Sequence, residues 1–423
     1  MGGTAFAQHK PPIPTPRLCR PLYKDILSKT VDLLHNHYTH VASPIEAPGK
    51  ETYGDLDIIV CKPLEASLDE SQNSREELAL KLKGILNAKA YIVNKGDAIV
   101  NFAIPLSHRP RTESKKNKPE EEIFVQVDIK LCLTCQDFDY SYFHSSHGDL
   151  WIILSLIIKP YGLWVNNRGM YLRIASIELQ DQKKSLVFLS SNPAVVLEFI
   201  GLDQKKWWKE MDSRDDIFNY AASCRMFNID DAEKMPEFIS ASYHPDDEGC
   251  EQKKLKHQIR RRYVTRPLFR AWVDDFIPKC RSKRLYSRLN PPLTRHQIKQ
   301  EAFAKFNVKK EFEEKEREWA IAKNDEEVWK NGIKGMVSNE GVDPAIRAAG
   351  LRVLKEIIVE GKACMDDSVP NEVQRDENGF HDLENVKRWV LNNWLRAGEF
   401  GFQRQLAWSI ANNKSRKSEQ ESM

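Results

Sequence analysis

Along its first ~200 residues the chain alternates between segments with helical spacing and segments with strand spacing of hydrophobic side chains. One helical pattern opens at Pro21, and a second follows Ser74, where Ser74 and Glu77 have the spacing of a capping box. The strand-like segments cover residues 55–62, 90–96, 98–106, 123–133, 163–174 and 185–190. This alternation predicts a sheet that is flanked by helices.

Beyond residue 201 the strand signals end, and helical patterns follow over residues 213–227, 294–335, 343–360 and 382–397. The chain therefore has the pattern of an α+β protein whose C-terminal part is mainly helical. The segments define four expected parts. These are a flexible, proline-rich lead at 1–17, an α+β domain at 18–201, a mainly helical domain at 202–411 and a disordered tail at 412–423.

Composition is compatible with a packed protein, because 41% of residues are hydrophobic and 30% are charged. Eight cysteines are too few for a disulfide framework in 423 residues, which favours free thiols in a reducing compartment. The first residues lack the apolar core of a signal peptide, and the longest apolar run, 150–158, is too short to span a bilayer. We expect a soluble intracellular protein, cytoplasmic or nuclear, with no membrane partner.

Three carboxylates occupy matching positions on two of the predicted strands. Asp55 and Asp57 are two residues apart, so their side chains point to the same face of a strand. Asp128 lies in a later strand, on the face opposite to Val125 and Val127. If the two strands are neighbours, the three carboxylates converge on an oxygen-rich site that suits Mg²⁺ (or Mn²⁺).

The order of these features resembles the polymerase-β nucleotidyltransferase superfamily. The resemblance covers roughly residues 20–175 and rests on a helix, the run Gly49-Lys50-x-x-x-Gly54-Asp55-Leu-Asp57, and the strand with Asp128. It implies a small mixed sheet with flanking helices. It also implies Mg²⁺-dependent transfer of a nucleoside monophosphate, with Asp55, Asp57 and Asp128 as catalytic, metal-binding residues.

The resemblance also implies a set of nucleotide-binding residues. These would be Gly49, Lys50 and Gly54 in the turn before the strand, and Lys159 after the apolar helix. Two departures stand out: Lys50 replaces the usual Ser that contacts the triphosphate, and the loop from Gly49 to Asp55 is shorter than usual. Pro160 after Lys159 is also atypical of the family.

A basic segment, Lys253 to Arg288, holds thirteen Lys and Arg residues against two acids. Aromatic residues are interleaved with the cations, which favours a nucleic-acid partner through phosphate contacts and base stacking. The alternative is an amphipathic helix whose aromatic residues belong to the core. Cys132, Cys135, His144 and His147 offer a second metal hypothesis, a zinc site, although their spacing is not that of a zinc finger.

The sequence thus predicts an enzyme that transfers a nucleotide from an NTP to a hydroxyl, with an RNA or other nucleic-acid end as the favoured acceptor. Two alternatives stay open: a catalytically inactive fold that acts as a binding or scaffold module, and a nucleotidyltransferase that acts on a small molecule or a protein. Protein partners are unknown at this stage.

Overall fold

The structure is a computed structural model that describes residues 3–94, 98–106, 122–230, 250–287, 293–338 and 340–421. For residues 250–256, 258 and 413–421 it describes the backbone alone. The chain divides into two compact units, residues 1–309 and residues 310–423. Residues 95–97, between two of the predicted strands, and residues 107–121, which are rich in charged side chains, lie outside the described residues.

All strands of the described residues belong to the first unit. They are β1 (Leu18–Cys19), β2 (Tyr38–Ala42), β3 (Thr52–Tyr53), β4 (Asp55–Pro63), β5 (Ala90–Val93), β6 (Ile99–Pro105), β7 (Phe124–Cys132), β8 (Leu163–Asn166), β9 (Gly169–Arg173) and β10 (Leu186–Ser190). Five of them form a mixed sheet in the order β2-β4-β7-β6-β5. Within it β4 and β7 are parallel neighbours, and the other pairs are antiparallel.

The central sheet has one apolar face and one mixed face, as the alternation of side chains predicts. Residues of β4 and β7 such as Leu56, Ile58, Val127 and Ile129 are at most 1% exposed and pack into the core formed with α1 and α2, described below. The other face carries the aspartates of β4 and β7. The strand pattern of the sequence therefore positions the candidate site on the sheet face that is turned away from the core.

The helices of the first unit surround these sheets. They are α1 (Arg20–His35), α2 (Arg75–Ile85), α3 (Cys135–Ser145), α4 (Leu150–Ile158), α5 (Ala175–Glu178), α6 (Pro193–Ile200), α7 (Gln204–Trp207), α8 (Arg214–Ala222), α9 (Cys250–Thr265), α10 (Pro267–Ala271), α11 (Ile277–Ser282) and α12 (Arg295–Phe306). A π-helical turn joins α10 to α11 at Trp272–Phe276. Ser74 and Glu77 form both bonds of the expected capping box at α2.

Two elements of the first unit differ from the sequence prediction. Strand β2 follows α1, in a region where no strand was predicted. The prediction missed it because only its first residue, Tyr38, is fully buried and the alternation is weak. Helix α3 contains Cys135 and His144, two of the four residues whose spacing suggested a zinc site. Thr134 begins this helix, since its hydroxyl accepts the main-chain N–H of Asp137.

The lead at 1–17, expected to be flexible, is packed from residue 3 onward. Residues Ala5–Gln8 form a 3₁₀ turn, and Phe6 is fully buried while Ile13 is 8% exposed. These two side chains pack against Ala103 and Phe124 of the central sheet. The segment thus has two apolar anchors on the sheet, and its flexibility stays a prediction.

The second unit is helical, as the pattern after residue 201 predicts. It contains most of α13 (Lys309–Glu327), a π-helical turn at Val328–Lys334, α14 (Pro344–Ile358) and α15 (Leu383–Glu421). Its core includes Val328, Val353, Leu354 and Val390, all fully buried. Helix α15 continues through the tail that was expected to be disordered from residue 412.

The expected domain boundary near 201 does not coincide with the division between the two units. Helix α12 belongs to the first unit, since Arg295 forms an ion pair of 2.6 Å with Glu178, and Lys305 forms one of 2.8 Å with Glu198. As a boundary of independent folding, residue 201 stays a prediction. Among the described residues, no helix combines the length and the apolar composition of a membrane span.

Candidate active site

Three aspartates lie on the mixed face of the central sheet, opposite the face that packs on α1 and α2. Asp57 of β4 and Asp128 of β7 are direct partners in the parallel register, and Asp55 lies opposite Gln126. Neighbouring strands are about 4.8 Å apart and residues two positions apart along a strand about 6.7 Å. The structure therefore places the three predicted carboxylates on one face of two adjacent strands. Asp57 is exposed, and Asp55 and Asp128 are partly buried.

Two of the three carboxylates are held by hydrogen bonds. Asn101 of β6, the register partner of Asp128, donates from Nδ2 to Asp128 Oδ1 at 2.6 Å. Gln126 donates from Nε2 to both oxygens of Asp128, at 2.9 and 3.1 Å. The main-chain N–H of Gly3 donates to Asp55 Oδ2 at 3.1 Å. Asn101 and Gln126 are almost fully buried, so these bonds are shielded from water and fix the orientation of Asp128.

The crowding of negative charge changes how the aspartates ionise. Desolvation, and then the charges of Asp55 and Asp128, raise the pKa of Asp57 to about 7. Desolvation also raises the pKa of Asp128 to about 6, although its bonds to Asn101 and Gln126 act in the opposite direction. Asp57 keeps an exposed edge, so solvent screens part of this repulsion. Carboxylates with pKa values raised in this way mark a candidate functional site.

A fourth carboxylate, Glu46, belongs to the same electrostatic group, and the sequence analysis did not identify it. Its charge raises the pKa of Asp57, whereas the charge of Lys50 lowers it. Glu46 accepts a hydrogen bond of 2.8 Å from the Tyr23 hydroxyl and forms an ion pair of 2.9 Å with Lys50. Lys50 also lies 4.7 Å from the ring centre of Tyr53. The predicted nucleotide-binding residue Lys50 is therefore beside the carboxylates and already paired.

Ser43 is a further polar residue of this region that the sequence analysis did not identify. It directly follows β2, the neighbour of β4 in the sheet. Ser43 lies beside the Tyr23 hydroxyl, which donates to Glu46. The role predicted for Lys50 at the triphosphate stays a prediction.

The two predicted glycines have different surroundings. Gly49 has a φ of +73°, and a β-carbon there would meet nothing within 4 Å. Gly54 is buried and is approached closely by the main chain of Gly3. The close approach at Gly54 is therefore made by the N-terminal part of the chain itself.

Lys159, the fourth predicted nucleotide-binding residue, lies in a cationic cluster next to α4. Burial, and then the charge of Arg173, lower its pKa to about 8, with a further contribution from Arg262. Arg266 joins this region to the loop at 146–149 through an ion pair of 3.2 Å with Asp149. The charge of Lys50 also acts on Asp149. Cations thus extend from the carboxylates toward Lys159.

Carboxylate oxygens are hard donors, the kind that Mg²⁺ prefers. Among the described residues, however, no group of three or more Asp, Glu, His or Cys side chains is placed so that it could hold a metal ion. Mg²⁺ is typically bound by one or two carboxylates together with substrate phosphates and water, and an incomplete set of protein ligands fits that mode. The carboxylate repulsion at Asp57 is the feature that a divalent cation would relieve.

Comparison with known proteins gives limited information. No family model matches the chain, and no curated protein matches its sequence. Among solved structures, the chain is similar to polymerase beta of Leishmania infantum in a ternary P/T complex, with a TM-score of 0.32 and 11% sequence identity. The likeness covers 46% of this chain and 77% of the other. It is a distant likeness, so the chemistry of the site rests on its own geometry.

Three aromatic residues of the basic segment 253–288 belong to the core. Phe269 and Trp272 are fully buried and Phe276 is 4% exposed, so base stacking by these three rings is ruled out. Tyr263 and Tyr286 of the same segment are partly exposed, and their stacking on bases stays a prediction. Arg260, Arg261 and other cations of the segment remain exposed. Arg288 lies outside the described residues.

The zinc alternative is not supported by the positions of its four residues. His147 is buried and its Nε2 lies 2.6 Å from the carbonyl oxygen of Trp207, while His144 stacks on Trp151. Cys132 instead lies beside Cys61 in the parallel register, with Cys135 packed nearby. Burial raises the pKa values of Cys61 and Cys132, so both are protonated, unreactive thiols.

Proposed function

We propose that this chain is a nucleotidyltransferase that moves a nucleoside monophosphate from an NTP to a hydroxyl acceptor. The observation that supports this function best is the placement of Asp55, Asp57 and Asp128 on one face of two adjacent parallel strands. Asp57 and Asp128 have raised pKa values, which indicate a group poised for a cation.

Each residue has a distinct role in this proposal. Asp55 and Asp57 would hold Mg²⁺ (or Mn²⁺) together with the phosphates of the NTP. Asp128 is oriented by Asn101 and Gln126. It would hold a second Mg²⁺ (or Mn²⁺) ion and accept the proton of the attacking hydroxyl. When bound, the ions supply charge neutralisation at the transferred phosphoryl group and the pyrophosphate.

Phosphate binding is assigned to the polar residues around the carboxylates. Ser43, at the end of β2, would donate its hydroxyl to the triphosphate, and Gly49 and Gly54 would allow the loop to approach it. Lys50 would turn from Glu46 toward the phosphates, and Lys159 would contribute positive charge from the cluster beside α4. A nucleic-acid end is the favoured acceptor, because exposed arginines of α9 offer contacts to a phosphate backbone.

The test is incubation of the full chain with Mg²⁺ and each labelled NTP, with and without RNA, while pyrophosphate release is measured. We expect Asp57→Asn and Asp128→Asn to lower the rate at least about 100-fold, since each removes a transition-state charge contact. Ser43→Ala should mainly raise KM for the NTP. Asp212→Asn, which alters an exposed aspartate away from the sheet, is the matched control.

Three outcomes separate this function from its alternatives. Pyrophosphate release that the aspartate variants abolish supports the proposal. Absence of release with every NTP and acceptor would identify a scaffold with an inactive fold. Transfer that proceeds without RNA, and that RNA neither accepts nor stimulates, would identify an enzyme for a small molecule or a protein.

A further inference from the structure

The N-terminal segment, defined here as residues 3–17, lies on the same face of the central sheet as the three aspartates. Phe6 and Ile13 pack on Ala103 and Phe124, whose side chains share that face. The main-chain N–H of Phe124 donates to the carbonyl oxygen of Pro14 at 3.0 Å, which fixes the segment to β7. Arg17 continues the attachment, because its guanidinium donates to Thr52 just before β4.

From this anchored position the segment contacts one of the three carboxylates directly through a main-chain donor, and it reaches a second through the side chain of Gln126. The N–H of Gly3 donates to Asp55 Oδ2. The N–H of Ala5 donates to Gln126 Oε1 at 3.0 Å. Because this bond occupies the amide oxygen of Gln126, its NH₂ group is directed at Asp128 and donates to both carboxylate oxygens.

The fit at Gly3 leaves no room for a side chain. Gly3 has a φ of +85°, and a β-carbon there would collide with the carbonyl group of Gly54, immediately before Asp55. The Thr15 hydroxyl donates to the carbonyl oxygen of Gly3 at 2.9 Å and keeps the turn closed. At Gly3 the distance between the segment and the site is thus set by main-chain contact.

We propose that the N-terminal segment is a positioning element of the active site, which orients Asp55 through Gly3 and Asp128 through Gln126. Like charges on adjacent strands tend to rotate apart, and fixed donors counter this rotation before a cation arrives. Asp57 is left on the exposed side, where a cation can approach. This inference rests on the proposed function, since it concerns the orientation of the same carboxylates.

The direct test uses the full chain and Mn²⁺ alone as the probe, with binding measured by titration calorimetry and by electron paramagnetic resonance. We expect Gly3→Ala to weaken Mn²⁺ binding about 10-fold, the lower end of the effect of losing a group that orients a ligand. Gly361→Ala is the matched control, because Gly361 also has a left-handed φ, of +65°, but open space around it.

A second pair of variants acts without altering any group at the site. Phe6→Ala removes the apolar anchor and should weaken Mn²⁺ binding and raise the Mg²⁺ concentration that half-saturates transfer, whereas Phe6→Leu should preserve both. Amide hydrogen exchange of residues 3–17 provides an independent readout, and Mn²⁺ should slow it in the wild-type chain. A role in folding alone would lower the melting temperature without changing the Mn²⁺ affinity of the folded protein.

The outcomes also distinguish this inference from the proposed function. If the wild-type chain binds Mn²⁺ and transfers nucleotide while Gly3→Ala and Phe6→Ala bind Mn²⁺ equally well, the positioning role is overturned and the enzyme assignment stands. Tighter binding or faster transfer in these variants would make the segment an obstruction and would also overturn it. If the wild-type chain neither binds Mn²⁺ nor transfers nucleotide, both proposals fail together.

Discussion

At the scale of single residues, Asp57 differs from its two partners in what surrounds it. Asp55 and Asp128 each accept hydrogen bonds. For Asp57, desolvation and the charges of nearby carboxylates, namely Asp55, Asp128 and Glu46, raise the pKa. Repulsion of this kind lowers the stability of the fold, which is a common property of functional sites. The charge of Asp57 should therefore be unfavourable for folding when no metal is present.

Asp57→Asn should raise the free energy of unfolding by about 1 kcal/mol at pH 8 in the presence of a chelator. This figure is smaller than the free energy that corresponds to the full pKa shift, because solvent screens the exposed side chain. The pKa of Asp57 in the folded protein, about 7, is above its ordinary value, so ionisation destabilises the fold as pH rises toward 7. The advantage of Asp57→Asn should therefore shrink between pH 7 and pH 5.

Urea denaturation at pH 5 and pH 8 measures this difference, with Asp212→Asn as the control. Equal stability of Asp57→Asn and wild type at pH 8 would show that the carboxylates repel each other too weakly to matter. Addition of Mn²⁺ should make the wild-type protein more stable than Asp57→Asn, because the wild type then gains binding free energy that is not available to the variant.

At the scale of elements, the basic segment combines an apolar interior with a charged surface. Phe269, Trp272 and Phe276 belong to the core, where Trp272 and Phe276 pack on each other and on Phe218 of α8. Arg260 and Arg261 of α9 face solvent. The exposed arginines of the segment are available to phosphates, whereas these three rings are buried and are not available to bases. Binding of nucleic acid here would be electrostatic and would depend little on base identity.

The double variant Arg260→Ala/Arg261→Ala should weaken RNA binding and reduce the slope of log affinity against log salt by about 2, roughly 1 for each phosphate that is no longer neutralised. Fluorescence anisotropy with a labelled single-stranded RNA over a series of salt concentrations measures the slope. Arg168→Ala, at the exposed tip of the β8–β9 hairpin, is the control. An unchanged slope in the double variant would place the acceptor site elsewhere.

Elements also show how far sequence patterns reach. Strands β4 and β7 were predictable because apolar residues alternate with Asp55, Asp57 and Asp128 and are buried on one face. Their parallel pairing is a tertiary fact that no local pattern encodes. Strand β2 was missed because its alternation is weak. Glu46 was missed because its role depends on contacts with Tyr23 and Lys50 that cross separate elements.

At the scale of the whole molecule, the chain consists of two compact units with separate cores. The first unit contains the sheet and the helices up to α12, and the second has its own apolar core between α14 and α15. In that core Gly350 of α14 lies close to Gly398 of α15, where a β-carbon would come within 3.0 Å of the partner helix. Small residues thus let these two helices approach closely and bury Val353 and Leu354.

Residues 310–423, produced alone, should fold and unfold cooperatively, because the core residues of this unit are all contributed from within it. Thermal unfolding followed by circular dichroism measures the transition. Leu354→Ala should lower its stability by about 2–5 kcal/mol, since Leu354 is fully buried. The exposed residue Leu391 offers a control, as Leu391→Ala should have little effect. A gradual melt without a transition would contradict the independence of this unit.

The bond between Gly3 and Asp55 joins positions that are 52 residues apart and uses no side chain on the glycine. A main-chain donor leaves almost no signature in the letters of a sequence, apart from the requirement that the residue stay small. Searches that weigh the acidic letters alone would overlook it. Distant relatives with the same arrangement should be recognisable by a glycine upstream of the first helix, paired with an anchoring aromatic three positions later.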